Sequence, residues 1–278
     1  MSTENLEAVD IARDYYNSED ADNFYSSIWG GEDIHVGLYF SPEDSILDAS
    51  RRTQERMAER LNGLDENSKV IDLGSGYGGA ARFLAKTYGC EVVALNLSEV
   101  ENERARELNR EQGLDDKIEV VDGNFEELPY EDGTFDVAWS QDAFLHSPDR
   151  EQVIRETARV LKSGSEFVFT DPMQSDRCPE GVLQPILERI HLESMASPGF
   201  YRKVAKKYGF KLIEFEEQTE QLGNHYSAVL RTTENHEAKL RDQVSEEYLA
   251  NMKKGLNYWI DGEKNDYLAW GIFYFQKI

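Results

Sequence analysis

From Lys69 onward the chain alternates between short apolar runs and longer stretches of helical period. Val70-Ile71-Asp72-Leu73 is short, apolar and β-branched, which predicts a buried strand; glycines follow, then a helix over 80–88. The same alternation predicts strands at 91–95, 117–121, 135–140 and 165–170, with helices over 98–112 and 150–161. Strands spaced by helices in this way imply βαβ units and a parallel sheet. Right-handed crossovers then bring the loops after the strands to one edge, where ligands of such sheets bind. The flanks read differently. Residues 1–45 are acidic and then aromatic, with glycines at 30, 31 and 37, and predict helices and loops that pack onto another surface. Residues 48–61 predict a helix with Arg51, Arg52, Arg56 and Arg60 among its polar positions. After the fifth strand come helical stretches at 181–193 and 201–208 and a strand at 210–216. Two further helices, 221–244 and 246–260, precede an apolar aromatic strand at 268–276. That last strand is expected to pair antiparallel with 210–216, and the helices between them to form a lid.

The expected fold is therefore α/β: a Rossmann-like, doubly wound, seven-stranded sheet with its last strand antiparallel. A single domain is expected, with a helical N-terminal cap (1–62), a cofactor-binding core (63–175), and lid helices with closing strands (176–278).

Charge changes the picture. Asp plus Glu number 54 against 30 Lys plus Arg, a net charge of −24. A small soluble domain carries roughly 2–8 net charges, so this excess suits a salt-rich cytoplasm in which self-repulsion is screened. A phosphate backbone would be repelled, which argues against a nucleic-acid partner. No apolar run is long enough to span a bilayer, and the polar, acidic first residues do not read as a secretory signal, so a cytoplasmic enzyme is expected. Cys90 and Cys178 are far apart, lack metal-ligand spacing, and are expected to be free thiols. No cluster with the spacing of a metal site is present, and none is expected.

The strongest chemical signal is the turn after the first strand, Asp72-Leu73-Gly74-Ser75-Gly76-Tyr77-Gly78. Glycine allows positive φ and close backbone approach to a ligand. The spacing is G-x-G-x-G, not the G-x-G-x-x-G of nicotinamide proteins, which disfavours an oxidoreductase. Asp72 with Gly74, Gly76 and Gly78 resembles the first motif of class I S-adenosylmethionine methyltransferases. That resemblance implies S-adenosyl-L-methionine as cofactor, with the glycine turn facing its methionine half and Asp72 ordering the site. Many members end the second strand with an acid for the ribose hydroxyls. This chain has Asn96, an uncharged acceptor, and Glu101, one turn on, can supply the carboxylate. After the third strand the resemblance places Asn124 against the adenine amine, and Phe125 and Gln141 complete the expected cofactor wall.

The fourth strand leads into Ser140-Gln141-Asp142-Ala143-Phe144-Leu145-His146. With the block around Tyr25, Trp29, His35 and Tyr39, and with Thr170-Asp171-Pro172-Met173, this segment resembles the sarcosine/dimethylglycine N-methyltransferases of the glycine-betaine pathway over nearly the whole chain. The same blocks resemble phosphoethanolamine methyltransferases, in which an N-terminal tyrosine pairs with the histidine after the fourth strand; here these are Tyr25 and His146. Amine methylation needs an unprotonated nitrogen. His146 is the candidate base, acting directly or through Tyr25 or water, with Asp142 four residues away, about one helical turn, to orient it. Aromatic faces from Trp29, Tyr39 and Phe144 would stabilise the cationic product. Met173 and Tyr226 are counted with that acceptor pocket, and Arg177 is the candidate for the substrate carboxylate. The basic run Arg202, Lys203, Lys206, Lys207 and Lys211 reads as a solvated helix face. The partner implied is a small amine, sarcosine or dimethylglycine, with compatible-solute synthesis as the role. A phosphoethanolamine methyltransferase, one for another small acceptor, and a non-catalytic binding module stay open at this level.

Overall fold

The computed structural model describes residues 13, 17–29 and 32–278; the glycines at 30 and 31 and the acidic first residues lie outside that set. Its centre is a seven-stranded sheet in the order β3-β2-β1-β4-β5-β9-β7. The strands are β1 (Lys69–Leu73), β2 (Glu91–Asn96), β3 (Ile118–Asp122), β4 (Phe135–Gln141), β5 (Leu161–Thr170), β7 (Phe210–Glu217) and β9 (Gly271–Lys277). β1 to β5 pair parallel, and β9 runs antiparallel between β5 and β7. Every predicted strand is present, and the last one is antiparallel as expected.

Helices cover both faces, which is why the central strands read as continuous apolar runs. On one face α5 (Arg150–Val160) and α7 (Pro198–Lys207) bury Val153, Ile154, Tyr201 and Val204 against Phe167, Phe169 and Phe273. On the other, α2 (Ile46–Ala58) and α3 (Gly79–Tyr88) pack Met57, Phe83 and Leu84 over Val92, Val137 and Trp139. Serines set several helix starts: Ser45, Ser98 and Ser197 each accept from a backbone N–H three residues on, capping α2, α4 (Glu99–Glu111) and α7. Arg202, Lys203, Lys206, Lys207 and Lys211 are exposed, as a solvated face requires.

Three stretches depart from the pattern. The helix predicted over 181–193 shrinks to α6 (Gln184–Arg189), with Pro185 in its first turn. The helix predicted over 221–244 ends as α8 (Glu220–Asn235), after which α9 (Glu237–Leu240) and α10 (Glu246–Lys264) follow. The closing strand is split. Leu268–Ala269 forms β8 and pairs with β6 (Met173–Gln174) in a separate two-stranded sheet, and Trp270 breaks the run before β9. The break turns the Trp270 indole toward Asp142 at the sheet edge.

α8 and α10 pack on each other and on α1 (Glu19–Ile28) through Phe24, Ile28, Val229, Met252 and Leu256. Residues 34–39 lie beneath this layer, so the cap and the returning helices roof the carboxyl edge of the sheet. Cys90 and Cys178 are free thiols. Among the described residues, no helix is long and apolar enough to cross a membrane, and no group of residues has the makings of a metal site.

Candidate active site

Three cavities share walls along the carboxyl edge, where the strand order reverses between β1 and β4. The first is about 180 Å³ and lies under the roof; the second is about 110 Å³ and lies over β1–β3; the third is a recess of about 40 Å³ at the glycine turn. Ile34 lines all three, and Asp142, His146, Ser147 and Pro148 line both of the larger ones. These residues form the junction.

Gly74, Gly76 and Gly78 all have positive φ, at 78°, 52° and 78°. Only Gly74 and Gly76 reach the cavities; Gly78 caps α3 and faces Arg82 instead, so its part is the turn and not ligand contact. A Cβ at Gly74 would stand 2.3 Å from that of Ala143, whereas one at Gly76 would meet only Ile34, at 3.7 Å. Gly76→Val is therefore expected to leave the fold intact while its branched side chain, strained at positive φ, fills the recess. Cofactor affinity should fall at least about tenfold per 1.4 kcal/mol of blocked contact, read by calorimetry; unchanged affinity would remove the turn from the site.

The recess holds the clearest unmet polar groups. Asp72 Oδ2, Ser75 Oγ and Gln141 Nε2 are buried without a hydrogen-bond partner, and all three residues line it. Burial pushes Asp72 up to about 7, against the pull of the nearby His35 charge. A carboxylate, a hydroxyl and an amide left open together suit an amino-acid head group carrying ammonium and carboxylate. Along the second cavity, the Asn96 amide donates to Glu101 at 2.8 Å, so the carboxylate missing from the strand end stands on the wall from the first turn of α4. Phe125 lines the same cavity, its ring edge-on to Phe144. Asn124 lines it too, but its side-chain oxygen accepts from the Glu126 N–H at 2.8 Å within its own turn. The open acceptor there is Glu126 Oε2, which sequence reasoning missed; burial raises the Glu126 pKa, and its other oxygen takes the Ser147 hydroxyl at 2.6 Å.

The first cavity is walled by Tyr25, Trp29, His35, His146, Tyr226 and Trp259, among others. Tyr25 and Trp29 lie with ring centroids 5.1 Å apart, and Tyr226 stacks on Trp259 at 4.9 Å. Tyr25 and His146 thus share one cavity, as do Trp29 and Tyr226. Tyr39, Phe144, Met173 and Arg177 do not belong to it. Tyr39 stands one layer behind, its hydroxyl 3.0 Å from His225 Nδ1. Phe144 and Met173 are buried in the core beside Phe169. Arg177 is exposed on the loop after β6, so the expected carboxylate ligand is misplaced. Trp259 and Arg189 take up positions in the wall that no motif marked.

Asp142 does not orient His146. It has φ 53°, and only Phe144–His146 form a 3₁₀ turn, so the helical turn implied by the spacing is absent. Its carboxylate accepts the Val36 N–H at 2.6 Å and the Trp270 indole N–H at 2.7 Å. Burial raises its pKa, and His35 opposes that rise. His35 Nε2 lies 3.5 Å from Asp33, which also takes the Gln54 amide at 2.6 Å. Burial works against charge on His35, but the Asp33 hydrogen bond and the Asp33 and Asp142 carboxylates outweigh it and raise its pKa. His146 is the reverse case: burial and then the Arg150 charge push it down to about 4, leaving a neutral imidazole. The junction therefore pairs a neutral imidazole with a buried carboxylate, beside two cavities and an aromatic wall.

Residues 71–169 match the family profile described as a methyltransferase domain. The chain is 60% identical to a sarcosine/dimethylglycine N-methyltransferase of Halorhodospira halochloris, over 98% of this chain and 97% of that one. It is 56% identical to the enzyme of the same name from Aphanothece halophytica, over 96% of each. A crystal structure of a candidate sarcosine dimethylglycine methyltransferase from Galdieria sulphuraria superposes with a TM-score of 0.90 at 45% identity, over 95% of this chain and 98% of that one.

Proposed function

The chain belongs to the sarcosine/dimethylglycine N-methyltransferases, and on that footing we propose that it methylates the nitrogen of sarcosine and of dimethylglycine with S-adenosylmethionine, giving glycine betaine. The observation that carries this reading is the junction. A recess suited to an amino-acid head group adjoins a cavity suited to a nucleoside, and that cavity meets an aromatic cavity suited to a small amine at Asp142 and His146. S-adenosylmethionine supplies an electrophilic methyl group on a sulfonium.

The chain's residues supply orientation, charge and proton handling. Asp72, Ser75 and Gln141 hold the methionine head group, Glu101 with Asn96 the ribose hydroxyls, and Phe125 with Glu126 the adenine end. At the junction the neutral His146 ring offers a lone pair to the substrate N–H. With its pKa near 4 it cannot keep a proton at neutral pH, so it passes the proton on, through Tyr25 or water, as the nitrogen lone pair is freed. The low-polarity wall helps, because it disfavours the ammonium form of the amine. Tyr25, Trp29, Tyr226 and Trp259 line that cavity, and each ring face presented to the growing cation would be worth about 0.5–2 kcal/mol. Asp142 contributes its charge beside that cation, with His35 behind it. The net charge of −24 supports a role in salt-stressed cells, for which betaine is a neutral solute.

The direct test is methyl transfer from labelled S-adenosylmethionine at high salt to glycine, sarcosine, dimethylglycine and phosphoethanolamine separately. Label in betaine from dimethylglycine is expected. Label only on phosphoethanolamine would move the enzyme to a different acceptor class.

A further inference from the structure

The acceptor wall contains two arginines, Arg150 and Arg189. Arg150 is committed to the fold, since it donates to the Leu145 carbonyl at 2.7 Å and to the Ser194 carbonyl at 2.6 Å. Arg189 ends α6, and its arm crosses α10 at Gly255, with its guanidinium donating to the Met252 sulfur at 3.0 Å. A Cβ at Gly255 would lie 2.1 Å from both Cδ and Nε of Arg189, so only glycine lets the arm lie flat and enter the cavity. Its charge is felt at Tyr226, on the same wall. On the α1 side of the cavity, the Trp29 indole N–H is buried and has no hydrogen-bond partner. A guanidinium fork and an unmet N–H donor lining one aromatic cavity are complementary to a carboxylate.

We propose that Arg189, seated by Gly255 and assisted by the Trp29 indole N–H, is the specificity-determining ligand of the acceptor's carboxylate. The inference rests on the functional reading above and names what that reading leaves open. The carboxylate held between α6 and α1 fixes the rest of a small amino acid, so its nitrogen points to the junction at His146. Discrimination between an amino acid and an uncharged amine of the same size then resides in this pair. Burying a carboxylate against a guanidinium and removing one partner weakens binding by about 30-fold or more.

The test compares dimethylglycine with its uncharged amide. Arg189→Gln should raise KM for dimethylglycine about 10²-fold, leave KM for the amide within a few-fold, and change kcat little. Arg189→Lys should recover part of the loss, since it keeps the charge and not the fork. Gly255→Ala separates this from a folding defect. Alanine favours a helix interior, so thermal stability should hold or rise while KM for dimethylglycine climbs as the arm is displaced. Trp29→Phe, which keeps the ring and removes the donor, should raise the same KM by a smaller factor. An Arg189→Gln enzyme that keeps the wild-type preference for dimethylglycine over the amide would overturn the proposal and leave the functional reading standing. A wild-type enzyme that methylates neither compound would overturn both.

Discussion

Replacing His146 with alanine is expected to lower kcat for dimethylglycine by about 10²–10⁴-fold, the usual contribution of a positioned proton-transfer group, while S-adenosylmethionine still binds. The ring lines both large cavities, so some loss of cofactor affinity should accompany the change, but the recess at Asp72 is untouched. The acid limb of the kcat profile carries the sharper information. Burial and the Arg150 charge hold the imidazole near pKa 4. At saturating cofactor, no inflection from His146 should appear near pH 6.5, its ordinary range. The limb should instead follow deprotonation of the bound amine and shift when sarcosine replaces dimethylglycine. His146→Gln keeps a neutral acceptor and should retain more activity than alanine. Equal turnover of wild type and His146→Ala would sink the assignment, and a limb fixed near 6.5 for every acceptor would mean that the histidine titrates in its ordinary range and must be deprotonated to act as a base.

Much of this was legible in the chain. The sheet was readable because buried parallel strands are apolar on both faces, so Val70-Ile71-Asp72-Leu73 and its counterparts stand out between amphipathic helices. The glycine turn was readable because backbone at positive φ leaves glycine as its mark. Spacing misled where it was taken for geometry. Asp142 and His146 are four apart, yet positive φ at Asp142 turns its carboxylate to Val36 and Trp270, residues far off in sequence. The split at Trp270 was invisible for the same reason: 268–275 carries no polar side chain to mark a break before Tyr274, and the partner of the Trp270 indole, Asp142, is far off in sequence. Tyr39 and Phe144 show the limit of composition. An aromatic ring near a site can wall a cavity or support it from behind, and only packing separates Trp29 from Tyr39. Arg189 left no signal at all, since a basic residue on a short polar helix looks like surface until Gly255 is seen beneath it. His35 stood inside the N-terminal block without a role, because what raises its pKa is Asp33 and Asp142, which the fold brings together.

Asp72→Asn is expected to move two measurements in opposite directions. Asp72 is buried, its Oδ2 has no partner, and its pKa is raised to about 7. For a carboxyl raised on folding, the native state binds the proton more tightly than the unfolded state does. Its contribution to stability is therefore fullest below the unfolded value near 4 and is lost as pH rises through about 7. Above that, the ligand-free fold carries an uncompensated buried charge. Asparagine removes it at nearly the same size, so the ligand-free variant should be more stable than wild type at pH 8, by roughly 1–4 kcal/mol, with the gain shrinking as pH falls and gone below about pH 4. Binding should respond the other way. On the proposed reading the open carboxylate is the counter-charge for the cofactor's ammonium, and its loss should weaken S-adenosylmethionine by about 30-fold or more at pH 8. Wild-type affinity should also rise between pH 6 and pH 8, with a proton released on binding below pH 7, and Asp72→Asn should abolish both effects. Thermal unfolding with and without S-adenosylmethionine, and calorimetry in buffers of different ionisation enthalpy, read all of these. A variant less stable than wild type at pH 8 would mean that Asp72 is already compensated in the ligand-free protein by His35 or by water. Unchanged affinity would place the ammonium elsewhere in the recess. The combination of gained stability and lost affinity is specific to a charge the fold tolerates for the sake of its ligand.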